Sequence, residues 1–316
     1  MGRGLSVHAN ALWVMGGTAL LGLAGGVLGA FALLRRRALL GDVLAHAALP
    51  GIALAYMATG TKAAGPLLIG ATASGVLGVL AMRAITRWSR LKEDAAMSLV
   101  LTVFFGLGIM LLGWVQRMPG GNQSGLDKFL FGQAASIVPR DLQVIAVAAA
   151  LLCLAILVLY KEFKLLAFDP DFGAVLGFPV VALDLLLSLC IALAVVIGLE
   201  AVGVVLMAAL LTTPAVAARY WTHRLSVMVP LAGLFGAASG VVGTLASQIG
   251  PRMPTGPLIV LAASLLFFLS LLAAPHRGLL ARLIRLRRAQ AQASPRRPDG
   301  TPLGQAAAGP RPGDGA

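Results

Sequence analysis

The chain has 316 residues, of which 59% are hydrophobic and 12% charged, and its mean hydropathy is +0.90. This composition excludes an ordinary soluble domain and indicates an all-α membrane protein that crosses the bilayer several times. The net charge of +13 does not indicate nucleic-acid binding, because the basic residues flank apolar spans instead of forming a patch interleaved with aromatic residues.

Nine apolar spans are predicted, each close to the length that a helix needs to cross a bilayer. They are 11–33, 39–58, 64–84, 96–115, 142–160, 179–197, 200–219, 226–247 and 257–274. The first span is followed by three arginines, the opposite charge order to a signal peptide, so we expect it to remain uncleaved. The spans form a transmembrane domain over 1–274, followed by a basic, low-complexity cytoplasmic tail over 275–316.

The distribution of basic residues predicts the orientation in the membrane. With nine spans, 19 of the 25 Lys and Arg residues fall on the side that carries the C-terminus, and 6 fall on the other side. By the positive-inside rule the N-terminus faces out and the C-terminus lies in the cytoplasm. We therefore expect a multi-pass membrane protein with this orientation.

The second span carries two ionisable side chains, Asp42 and His46, directly after three arginines. A charge at such depth costs about 2.5 kcal/mol or more unless it is compensated, and intramembrane ionisable residues commonly serve an ion or proton path. At a spacing of four, the two side chains lie on one helical face. Pro50 removes the N–H that would bind the carbonyl of His46. Carboxylate, imidazole and free carbonyl suit a divalent cation; the alternative is a structural hydrogen bond between helices.

Proline and acidic residues mark other positions in the spans. The Pro50–Gly51 step and Pro214, in the seventh span, each predict either a plain kink or a gating hinge. Asp184 is expected near the cytoplasmic interface and Glu200 near the outer one, both solvated. The alternative for Glu200 is a place at the outer mouth of a cation path.

Small residues in the spans are expected to serve packing. Glycine pairs four apart, in the first and eighth spans, allow close approach of helices within the chain; they are Gly22/Gly26, Gly25/Gly29 and Gly236/Gly240. Cys153 and Cys190 lie in apolar runs, so we expect neither a disulfide nor a thiolate zinc site.

A short cytoplasmic helix is predicted between the fifth and sixth spans, in FDPDFGAVLG. Asp169 is a good N-cap, Pro170 suits the first helical position, and Gly177 is placed to end the helix. Exposed Phe172 and Leu176 favour a docking surface for a soluble partner. The alternative is an ordinary interfacial loop.

The sequence also lacks the motifs of several enzyme classes. It holds no G-x-x-x-x-G-K-[ST] phosphate loop, no G-x-S-x-G and no H-E-x-x-H. We therefore expect a non-catalytic chain whose energy source lies on another subunit.

Several segments, in order along the chain, resemble the membrane permease subunits of bacterial metal-type ABC transporters. They are GGVLGAFALLRRRALLGDVLAHAALPGIALA (25–55), KEDAAMSLVLTVFFGLG (92–108), GNQSGLDKFLFGQAAS (121–136), FDPDFGAVLG (168–177), AVGVVLMAALLTTPAVAAR (201–219) and PTGPLIVL (254–261). The resemblance implies that 168–177 is the coupling helix that docks on the ATPase. It also implies that Asp42 and His46 line the metal path, and it assigns no role to Glu200.

The resemblance further implies a multi-pass importer of the bacterial cytoplasmic (inner) membrane that carries manganese, iron or zinc and binds no permanent cofactor. Its partners would be a second permease copy or paralogue, two ABC ATPase subunits and an extracytoplasmic metal-binding protein, with no nucleic acid. Segments 121–136 and 254–261 resemble the manganese/iron branch more than the zinc branch. Two alternatives stay open: a permease for siderophore or corrinoid import, and an ion-coupled secondary carrier.

Overall fold

A computed structural model describes residues 2–61, 63–117, 137–250, 253–274 and 278 of the chain. Within them every regular element is a helix, and nine of these helices are long and apolar enough to cross a membrane. The nine predicted spans are thus confirmed, with some ends displaced by a few residues. The helices are α1 (Gly2–Leu34), α2 (Leu40–Thr59), α3 (Ala64–Trp88), α4 (Glu93–Val115), α5 (Pro139–Val158), α6 (Tyr160–Phe168), α7 (Pro170–Val175), α8 (Val180–Val202), α9 (Val204–Trp221), α10 (Leu225–Ser247) and α11 (Thr255–Ala273).

Consecutive long helices run in opposite directions, so their ends gather at two faces of the bundle. Asp184 near the start of α8 pairs both with Arg83 near the end of α3 and with Arg35, which follows the end of α1. We call this face, which carries Arg35, Arg37 and Arg83, the basic end. At the opposite end, α8 and α9 are joined by Gly203 alone, whose φ of 86° places it in the left-handed region that favours glycine.

Glycines bring α1 into backbone contact with α9 and α10. A Cβ added to Gly22 would collide with the carbonyl of Gly236, and one added to Gly26 would collide with that of Ala232. A Cβ on Gly29 would meet a carbonyl of α9 in the same way. The prediction that these small residues serve packing within the chain is therefore confirmed.

The two short helices, α6 and α7, lie at the basic end. Phe163 of α6 is fully buried, and its ring packs against that of Phe31 near the end of α1, with centroids 5.9 Å apart. Gly173 of α7 is buried, and a Cβ there would lie 3.3 Å from Leu165 of α6 and 3.4 Å from Val180 of α8. Helix α7 thus packs closely against α6 and α8 on the side that carries Gly173.

Candidate metal path and docking helix

The two ionisable residues of α2 are brought together as their spacing predicts. His46 Nε2 lies 3.4 Å from Asp42 Oδ1, within ion-pair range. The other ring nitrogen, Nδ1, is buried and has no hydrogen-bond partner in the described structure. Buried polar atoms are normally paired, so this nitrogen is a candidate ligand for a group that the chain does not supply. The imidazole packs in a T-shaped arrangement with Phe105 of α4, with ring centroids 4.8 Å apart.

Contacts with neighbouring helices place His46 near mid-depth in the bundle. Phe105 lies close to the middle of α4 (Glu93–Val115). The carbonyl of Ala47, the next residue, accepts a 2.6 Å hydrogen bond from Ser74, close to the middle of α3. Because both helices are long enough to span a bilayer, their midpoints mark its centre. Asp42 lies about one helical turn from there toward the basic end.

Helix α2 is buried on most sides but open along the face that carries these two residues. The side chain of Asp42 is 41% exposed and that of His46 is 22% exposed. Residues 47–53, the next two turns, are buried, so the open face is limited to the start of α2. Within one chain the pair is therefore accessible from the side that no other described helix covers.

The chemistry of the pair is that of a partial coordination shell. The described residues contain no group of three or more His, Cys, Asp or Glu side chains able to hold a metal together. One carboxylate, one imidazole and the carbonyl that Pro50 leaves without an N–H partner replace only part of a divalent ion's hydration shell. Such a set suits an ion in passage better than a permanently bound one.

The proline positions lie in continuous helices. Helix α2 runs unbroken through Pro50, and α9 runs unbroken through Pro214, with both prolines buried. A Cβ on Gly51 would collide with the carbonyl of Gly70 in α3, so the Pro-Gly step lies where two helices are in close contact. A hinge role for Pro50, Gly51 and Pro214 stays a prediction.

The expectation that Asp184 is solvated is wrong. Its side chain is 8% exposed, and Oδ1 accepts hydrogen bonds of 2.9 Å from both Arg35 and Arg37. Arg83 Nη1 lies 3.8 Å from Oδ2, and Arg37 also makes a two-bond pair with Glu93. We call these five residues the ionic cluster. Burial alone would lower the pKa of Arg37, but the bonds and charges of Glu93 and Asp184 outweigh it and hold that pKa above its ordinary value.

Sequence reasoning missed the ionic cluster because its members are far apart along the chain. Arg37 and Asp184 are separated by 147 residues, and no periodicity links them. One signal was available: a carboxylate near the start of one span and three arginines after another, both predicted on the cytoplasmic side. An acidic residue at membrane depth needs a partner, and those arginines were the nearest candidates.

Glu200 lies at the opposite end of the bundle from the ionic cluster. It is half-buried and lines a cavity of about 520 Å³ between α3, α5 and α8, whose polar lining includes Arg140, Asp141 and Glu200. The cavity is separate from the open face of α2, and the structure does not bring Glu200 together with Asp42 and His46.

The helix predicted after the fifth span is α7, and its caps form as expected. The Asp169 side chain accepts a 2.9 Å hydrogen bond from the backbone N–H of Phe172, and Pro170 is the first helical residue. Gly177, with φ of 84°, follows the helix end and donates its N–H to the carbonyl of Ala174. Phe172 is 53% exposed, so α7 presents an apolar surface at the basic end.

Two segments with predictions attached lie outside the described residues. One is 121–136, which carries part of the family resemblance. The other is the basic tail, of which only Gly278 is described.

Comparison with known proteins gives consistent matches over most of the chain. Residues 8–274 match the model of the ABC 3 transport family. The chain is 52% identical over 287 residues to the manganese transport system membrane protein MntC of Bacillus subtilis, covering 91% of this chain and 66% of that protein. It is 47% identical over 272 residues to the zinc transport system membrane protein TroC of Treponema pallidum, covering 86% of this chain and 91% of that protein.

A solved structure is also similar. The complex of PsaBC from Streptococcus pneumoniae with a Fab contains a chain that matches with a TM-score of 0.74 at 29% identity. The match covers 87% of this chain and 94% of that one.

Proposed function

The chain belongs to the ABC 3 transport family, and on that premise we propose that it is the membrane permease subunit of an ATP-driven importer of divalent metal ions. The transported ion is manganese, iron or zinc. One observation carries the proposal: a carboxylate and an imidazole with a buried, unpaired ring nitrogen lie near the middle of the bundle, and both side chains are partly exposed on its open side. The names of the relatives, one for manganese and one for zinc transport, support the same class of substrate.

In this proposal the ion loses part of its hydration shell to Asp42, His46 and the His46 carbonyl. An extracytoplasmic binding protein delivers the ion to the end of the bundle that carries Glu200. The ion leaves at the basic end, which the excess of Lys and Arg assigns to the cytoplasm. Because a two-residue shell holds the ion weakly, the same residues allow both entry and release.

The energy for transport is assigned to separate subunits. The chain contains no phosphate-binding loop, so ATP would be hydrolysed by two ATPase subunits that dock at the basic end. Helix α7 is the docking element, because its capped backbone is fixed to the bundle and its Phe172 side chain projects as an apolar anchor. A second permease copy or a paralogue would cover the open face of α2.

The proposed function is tested by uptake into proteoliposomes that contain the chain with its ATPase, supplied with the binding protein. We expect radioactive manganese or zinc to accumulate with ATP and not with ADP. Uptake driven by a proton or sodium gradient without ATP would contradict the proposal and favour a secondary carrier. Uptake of siderophore or corrinoid in place of free ions would contradict the assigned substrate class.

A further inference from the structure

Arg35 of the ionic cluster joins two elements that are separate in sequence. Its Nη1 donates a 3.0 Å hydrogen bond to the carbonyl of Leu166 in α6, and its Nη2 donates a 2.9 Å bond to Asp184 in α8. Leu166 lies three residues before Asp169, the N-cap of α7. One planar guanidinium therefore ties the segment that leads into α7 to the body of the bundle.

Arg37 extends this connection to the start of the neighbouring helices. It donates 2.9 Å to the same oxygen of Asp184 that Arg35 binds, and its Nε and Nη2 bind the two oxygens of Glu93 at 2.9 and 2.7 Å. The Arg37 side chain is only 8% exposed and binds both Asp184 and Glu93, so it has little freedom to change its conformation. Oδ1 of Asp184 thus accepts hydrogen bonds from two arginines of the short segment that joins α1 to α2.

That segment is compact and leads directly into the helix of the metal-path residues. Arg37 N–H binds the carbonyl of Ala32, and Leu40 N–H binds the carbonyl of Arg37. Thr212 of α9 donates a 3.1 Å hydrogen bond to the carbonyl of Ala38. Helix α2 begins at Leu40, so Asp42 lies in its first turn. Because these hydrogen bonds fix the segment between α1 and α2, a displacement of Arg35 or Arg37 is passed on to the start of α2.

We propose that Arg35 is a positioning residue that couples movement of the α6–α7 segment, through Asp184 and Arg37, to Asp42 at the start of α2. When the docked partner displaces α7, Leu166 moves with it. The hydrogen bond from Arg35 to the Leu166 carbonyl then pulls the Arg35 side chain in the same direction. Because Arg35 and Arg37 share one oxygen of Asp184, the start of α2 responds to the same displacement. The proposal rests on the proposed function, since it supplies the step between ATP hydrolysis and the metal path.

The test is Arg35→Lys in the complete transporter, reconstituted in proteoliposomes. Lysine keeps the positive charge beside Asp184, so the buried carboxylate stays compensated. A single ammonium group cannot hold the carbonyl of Leu166 and the carboxylate of Asp184 in the fixed geometry of the planar guanidinium. Arg87→Lys is the matched control, because Arg87 is exposed at the basic end and lies outside the ionic cluster. The readout is metal ions transported per ATP hydrolysed, with ATPase copurification and thermal unfolding measured in parallel.

We expect Arg35→Lys to lower transport per ATP by about fivefold or more, the low end of ordinary coupling between sites. ATPase copurification and the unfolding midpoint should stay at wild-type values, as should all readouts of Arg87→Lys. Asp184→Asn, which keeps the shape and removes the charge, should lower the ratio in the same way.

An unchanged transport ratio in Arg35→Lys would overturn the inference. Loss of assembly or stability in Arg35→Lys in proportion to its loss of transport would also overturn it, because Arg35 would then serve folding alone. Absence of ATP-dependent metal uptake by the wild-type complex would overturn the proposed function, and the inference with it.

Discussion

At the residue scale, glycines set the distance between α2 and the helices beside it. A Cβ on Gly51 would collide with the carbonyl of Gly70 and lie 2.6 Å from the Ser74 side chain. We expect Gly51→Ala to push α2 away from α3 and to cost about 1–3 kcal/mol, the usual range for overpacking. The measurement is the thermal unfolding midpoint of the purified protein.

Gly106 of α4 provides the control for this prediction. It is exposed, and a Cβ there would meet nothing within 4 Å. Gly106→Ala should leave the midpoint unchanged or raise it, because alanine restricts the unfolded chain more than glycine does. Equal destabilisation by the two substitutions would contradict the packing argument.

At this scale the sequence predicts contacts between residues that are close together along the chain, but not contacts between distant helices. A spacing of four is enough to place Asp42 and His46 on one face, because a helix repeats every 3.6 residues. The burial of Asp184 depends on arginines 147 and 149 residues away, which no local pattern reveals. The hydrogen bond from Ser74 to the carbonyl of Ala47 likewise forms only because α2 and α3 pack closely.

At the element scale, α7 depends on its N-cap. Asp169→Ala removes the hydrogen bond to the Phe172 N–H and should cost about 1 kcal/mol of local stability. We therefore expect weaker ATPase copurification. Asp171→Ala in the same helix removes an equal charge from a side chain for which the structure shows no capping bond, so it should have a smaller effect. A larger loss with Asp171→Ala would contradict the capping argument.

The exposed ring of Phe172 leads to a second prediction for α7. Phe172→Asp places a charge in the proposed apolar contact, and we expect ATPase copurification to be lost because the charge would have to be desolvated. Phe172→Leu, which keeps an apolar side chain, should retain most of it. Normal ATPase association and transport with Phe172→Asp would remove the docking role.

The long helices are predictable from composition, because a bilayer demands about 20 apolar residues for each span. Helix α7 is predictable for another reason: its caps are short-range and chemically specific. Helix α6 was not predicted as a separate element. Its position depends on tertiary contacts, such as that between the rings of Phe163 and Phe31.

At the scale of the whole molecule, the orientation in the membrane follows from the basic residues. We expect a reporter fused after Gly60 to be detected outside the cell, and reporters fused after Arg90 or at Ala316 to be detected inside. The physical reason is the excess of 19 to 6 Lys and Arg residues on one side of the nine spans. A reporter at Ala316 that is detected outside would contradict both the orientation and the number of spans.

The central claim is that a divalent ion passes Asp42 and His46, and radiometal uptake by the reconstituted transporter tests it most directly. Asp42→Asn keeps the shape and removes the charge, and His46→Ala removes the ring nitrogen, so each should lower uptake about tenfold or more. Asp94→Asn, a matched change at an exposed carboxylate of α4, should leave uptake unchanged. ATPase copurification should be normal in all three variants. Near-normal uptake with both Asp42→Asn and His46→Ala would contradict the claim and leave the pair as a structural contact.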